Sequence, residues 1–76
     1  MMRTALKAAR IAAGYTQQQI AVRLGLGQQS ISKHERGLAA PAHFKTIREY
    51  EKLLGVQAEK LFPDIFDKNT ATQNNK

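Results

Sequence analysis

The sequence predicts an all-α fold, a compact bundle of five short helices, and three observations predict it. Apolar residues recur at three- and four-residue spacing, no useful stretch alternates with the two-residue period of a strand, and glycines stand where the helical runs stop. At 76 residues the chain is expected to make one domain, over residues 1–66, followed by a polar tail.

In the first helix Leu6, Ala9, Arg10 and Ala13 share one face, and Gly14 ends the run. Thr16 and Gln19 form a capping-box pattern that opens the second helix. Ile20, Ala21 and Leu24 repeat along it, and Gly25 ends it. Leu26 and Gly27 make a very short connection to a third helix, from Gln28 to Arg36, which stops at Gly37. So short a connection suits a sharp crossing of two helices, as in a helix-turn-helix, rather than side-by-side packing. After a loop with Pro41, a fourth helix is expected from His43 to Leu54, with Phe44, Ile47, Tyr50 or Glu51, and Leu54 on one face. Gly55 ends it, and Val56 to Phe62 reads as a short fifth helix before Pro63. The last ten residues, DKNTATQNNK, are polar and aperiodic, and disorder is expected there.

Charge narrows the function. Residues 1–48 hold eight Lys or Arg against one acid, Glu35, a net of +7, while residues 49–76 hold four bases and five acids, a net of −1. A cationic end fits a polyanionic partner. There is no cysteine, so neither disulfides nor thiolate metal sites are available, and a reducing cytoplasmic setting is expected. No apolar run approaches the roughly 20 residues that would span a membrane. His34 and His43 lack the further ligands a metal site needs, so no metal is expected. His34 is expected to be a half-buried packing residue. Gly25, Gly27 and Ser30 mimic a truncated dinucleotide fingerprint, but a helix precedes them where that motif needs a strand. No cofactor, no small-molecule ligand and no enzymatic site is expected.

The informative stretch is residues 16–37, TQQQIAVRLGLGQQSISKHERG. Ala21 is small where two helices approach, Gly25 permits a left-handed turn, and Leu26 and Ile31 are apolar where the helices share a core. With the E-R-G ending of the third helix and the later L-G-V and L-F segments, this closely resembles the helix-turn-helix of the phage repressor and Cro family, the lambda-repressor-like DNA-binding domain. The resemblance spans residues 6–62.

At about 100° per residue, Ile31, His34 and Glu35 lie on the inner half of the third helix. Gln29, Ser32, Lys33 and Arg36 lie on the outer half, flanked by Gln28 and Ser30. That outer face holds amides, hydroxyls and cations, with no acid, which suits base edges and phosphates. Gln can pair bidentately with adenine and Lys can donate to guanine. Gln28, Gln29, Ser32 and Lys33 are the expected base contacts. The resemblance implies phosphate contacts at Gln17, at the start of the second helix, and at Arg36, His43 and the backbone of Phe44. Gly27 and Ser30 join that set. Gln17 is also placed to brace Gln28. Residues 38–42, LAAPA, carry no cation where relatives often have one, and Gly27 stands where many have Ser or Thr. The resemblance further implies a structural ion pair between Arg10 and Glu35.

The function expected is a sequence-specific regulator binding double-stranded DNA, a small Cro-like or phage-type repressor acting as a homodimer. Leu54, Gln57, Leu61, Ile65 and Phe66 are the candidate dimer surface; the other reading is that most of them simply finish the core. The alternative is an antitoxin or adaptor that uses the same fold to bind protein.

Overall fold

The structure, a computed structural model, describes residues 2–66, so the expectation of a disordered tail lies outside the described residues. Its five helices are α1 (Thr4–Ala12), α2 (Gln17–Leu24), α3 (Gln28–Arg36), α4 (Phe44–Leu54) and α5 (Ala58–Leu61), and the described residues contain no strand.

The helix ends follow from local chemistry. At the start of α2 the Thr16 hydroxyl accepts from the Gln19 backbone N–H at 3.0 Å, and the Gln19 side chain accepts from the Thr16 N–H at 2.9 Å. This reciprocal capping box satisfies two donors that the helix itself cannot. At the other end Gly25 adopts φ 71°, ψ 31°. Its N–H bonds the Val22 carbonyl and the Leu26 N–H bonds the Ala21 carbonyl, so a single left-handed residue closes the helix and turns the chain. Gly37, at φ 74°, closes α3 in the same way, through Leu38 N–H to Lys33 carbonyl.

Two helices differ from their expected bounds. His43 is the cap of α4 and not its first residue, and α5 is shorter than expected because Gln57 is its cap. The α5 start is held from outside, where Glu51 Oε2 accepts from the Ala58 N–H at 2.8 Å.

Each helix contributes one face to a single core. Leu6, Ile20, Ile31, Tyr50, Leu61 and Phe62 are its most deeply buried large side chains. Ala21 is 2 % exposed, so its small side chain sets how closely α2 meets its neighbours. The outcome is a three-residue turn, residues 25–27, joining two helices whose inner faces share the core and whose outer faces remain free.

Candidate nucleic-acid interface

Helix α3 divides as its angular pattern requires. Ile31, His34 and Glu35 are buried, while Gln28, Gln29, Lys33 and Arg36 are exposed and Ser30 and Ser32 are partly exposed. Every outward side chain of α3 is therefore an amide, a hydroxyl or a cation, and the helix's one acid points inward.

That acid is the centre of a buried charge network. Arg10 Nε donates to Glu35 Oε2 at 2.5 Å, and Arg10 Nη1 donates to the Tyr15 carbonyl at 2.8 Å. Gln17 Nε2 donates to Glu35 Oε1 at 3.1 Å. The structure thus joins Arg10 to Glu35 and adds Gln17, which braces Glu35 and not Gln28 as the sequence suggested. The physical reason is reach: the Gln17 amide finds a buried carboxylate with an open lone pair. An amide nitrogen carries a second hydrogen, so this bond orients Gln17 without exhausting it as a donor.

His34 is the packing residue the sequence suggests, buried more fully than expected. It is 5 % exposed and its Nδ1 shares a 2.8 Å hydrogen bond with the Tyr50 hydroxyl. Burial, and then the Arg3 charge, hold its pKa below the ordinary value, against the opposing pull of Glu35. Burial likewise pushes the Tyr50 hydroxyl well above its usual range. Both groups are neutral at pH 7, so this is a packing contact with a polar tie.

Beside the outer face of α3 lies a groove lined by Ser30, Lys33, His34, Pro41, His43 and Thr46. It brings together Ser30 and His43, both expected phosphate contacts, with Lys33 from the base-reading set. Gly27 adopts extended backbone at φ −83° and caps α3 with no side-chain bond. Phe44 is half exposed, its ring lying against Phe66 at 5.9 Å between centroids and under the Arg48 guanidinium at 4.9 Å.

Two expectations need correction. Leu54 and Leu61 are 9 % and 0 % exposed, so they finish this chain's own core and cannot meet a second copy. Of the expected dimer surface, Gln57 and Ile65 are exposed and Phe66 is partly so. The cation tally also shrinks, because Arg3 and Arg10 are buried and internally paired. Arg3, paired with Asp64, is the residue that sequence reasoning missed. Its only local signal was its position before the first apolar stripe.

Among the described residues no three His, Asp or Glu side chains gather as metal ligands, and no helix is long and apolar enough to cross a membrane.

A short turn between α2 and α3, a buried inner seam and an acid-free polar outer face define a DNA-binding helix-turn-helix domain. The sequence profile of the family described as Helix-turn-helix matches residues 6–61, and the chain belongs to that family, in its Cro/C1 type. This family is a non-enzymatic DNA-binding domain type. No curated protein and no solved structure gives a significant match.

Proposed function

We propose that this chain is a sequence-specific transcriptional repressor that docks α3 in the major groove and acts as a two-fold dimer on a pseudo-palindromic operator. The carrying observation is the outer face of α3, where the side chains of Gln28, Gln29, Ser32 and Lys33 make no hydrogen bond among the described residues while Glu35 is turned inward. Gln28 and Gln29 lead the helix and read adenine edges, and Lys33, one turn on, reads guanine. Gln17, Gly27, Ser30, Arg36, His43 and the backbone of Phe44 bond phosphates around them. For Gln17 the donors are its backbone N–H at the free start of α2 and the second amide hydrogen left by Glu35.

An antitoxin or adaptor would need an apolar partner surface on the same helix. The exposed large apolar side chains Met2, Ile11, Val22, Leu38, Phe44 and Ile65 all lie off α3, which favours the DNA reading.

Selection of bound sites from random duplex DNA tests the assignment. Gln28→Ala or Gln29→Ala should cost about 1–3 kcal/mol on the best site and relax one or two base pairs, chiefly A·T. Gln17→Ala should weaken all sequences nearly equally, because phosphate contacts position without specifying. With about six to eight phosphates neutralised per dimer, log K should fall with log salt at a slope of about −5 to −7. A logo untouched by both α3 substitutions would remove α3 as the reading element.

A further inference from the structure

Arg3 is 3 % exposed, too deeply buried to meet DNA itself, yet it is among the most fully bonded side chains in the molecule. Its Nε donates to Asp64 Oδ1 at 2.9 Å and its Nη2 to Asp64 Oδ2 at 2.8 Å. Its Nη1 donates to the His34 carbonyl at 2.6 Å and to the Ala39 carbonyl at 2.8 Å. The guanidinium lies 5.1 Å from the centroid of the Phe62 ring, and the Arg3 backbone N–H donates to the Glu35 carbonyl at 2.8 Å.

These partners come from three separate places. Asp64 belongs to the segment after α5, His34 and Glu35 to the last turn of α3, and Ala39 to the loop that leads to α4. The last carbonyls of a helix have no intrahelical donor and carry partial negative charge, so a cation there is favoured both as donor and as charge. The division of labour within the guanidinium is geometric. Asp64 takes the Nε and Nη2 side in a bidentate pair, which fixes the plane of the group. A fixed plane sets both N–H directions of Nη1, and the His34 carbonyl of α3 and the Ala39 carbonyl of the loop each take one. Ammonium on a flexible stem has no such plane.

The same last turn of α3 presents Arg36, with Lys33 just before it, and the same loop ends at His43. We infer that Arg3, aimed by Asp64, is a positioning residue for DNA recognition: clamping the end of α3 to the following loop fixes Lys33, Arg36 and His43 relative to Gln28 and Gln29. The role in recognition rests on the DNA reading above. The clamp itself is a property of the chain alone.

Arg3→Lys and Asp64→Asn test it, with Asp64→Glu as the conservative control. Each protein is brought to a temperature where circular dichroism shows it fully folded. Affinity is then measured for the selected duplex and for a scrambled duplex. Amide hydrogen exchange is followed at Gly37 and Leu38, whose N–H groups bond the His34 and Lys33 carbonyls. The expected result is a loss of about tenfold or more on the selected duplex, where Lys33 reads a base, and a several-fold smaller loss on the scrambled one, where only the phosphate contacts of Arg36 and His43 are disturbed. Exchange at Gly37 and Leu38 should accelerate by about tenfold or more while α2 amides hold, and Asp64→Glu should recover most of both effects. Folded variants with both affinities unchanged overturn the inference. Equal losses on both duplexes also overturn it, since a merely structural role predicts them. A wild type that binds no duplex overturns the DNA reading and the recognition role together. Exchange then decides the clamp by itself, and unchanged exchange at Gly37 and Leu38 overturns that too.

Discussion

Arg10 and Glu35 hold opposite charges where the protein interior would otherwise admit none, with side chains 10 % and 3 % exposed. Removing one partner leaves the other desolvated and unpaired, which costs about 3–5 kcal/mol. Arg10→Met and Glu35→Gln should each lower the melting temperature by more than about 12 °C, given about 4–8 °C per kcal/mol in a domain of this size. Thermal melts decide it, and an unchanged midpoint would mean that the pair contributes nothing. His34 makes a second prediction at this scale. Its folded pKa lies below the ordinary 6.5, so the unfolded chain takes up a proton first. Stability is therefore full above pH 6.5 and declines as pH falls from there toward the folded pKa. Arg3, Glu35 and Tyr50 are the polar groups facing the ring, and Arg3 adds to the decline while Glu35 opposes it. Denaturant midpoints between about pH 7 and 5, above the carboxylate range, should show this slope in the wild type. They should lose it in His34→Gln, and a parallel slope in the variant would assign the effect to another group.

At the scale of elements, α3 begins without a side-chain cap. Gly27 sits in extended backbone with open space, nothing within 4 Å, where a side chain's Cβ would stand, and it offers α3 no side-chain acceptor. Ser there can accept from the free first-turn N–H groups without steric cost, so Gly27→Ser should stabilise by a few tenths of a kcal/mol, or about 1–3 °C in the melting temperature. A lower midpoint would show that the cap geometry does not admit the hydroxyl. The same locality explains what was legible in the sequence. The capping box at Thr16 and Gln19, the stops at Gly25 and Gly37 and the inward arc of Ile31, His34 and Glu35 all depend on residues a few positions apart. Arg10 with Glu35 was reachable only through the family resemblance, since 25 residues separate them. Arg3 with Asp64, 61 residues apart, left no trace in any periodicity, and neither did Gln17 turning toward Glu35. For Leu54 and Leu61 the sequence left core and dimer surface both open, because an apolar stripe on a short helix looks the same whether it meets its own core or a partner.

Across the whole molecule, burial redistributes the charge. Once Arg3 and Arg10 are withdrawn into internal pairs, and Arg48 is tied to Glu51 at 2.8 Å, the cations of the first two-thirds with no acid partner among the described residues are Lys7, Arg23, Lys33, Arg36 and Lys45. Only Lys33 and Arg36 belong to α3, so the proposed repressor has few cations per domain with which to grip DNA, and that proposal therefore calls for two copies. The surface available for pairing is small. With Leu54 and Leu61 in the core, Gln57, Ile65 at 40 % exposure and the open edge of Phe66 are what remain of it. Stable dimers bury upwards of about 1,000 Å², far more than three side chains supply. The free protein should therefore sediment as a monomer at micromolar concentration and bind operator DNA cooperatively, two chains to one duplex. Selected sites should carry two half-sites about 34 Å apart, one helical turn. Inserting about five base pairs between them turns the half-sites to opposite faces of the duplex and should abolish cooperativity while each half-site still binds one chain weakly. Cooperativity that survives the insertion would place the pairing contact elsewhere on the chain, and a single unrepeated element bound by one chain would remove the dimer altogether.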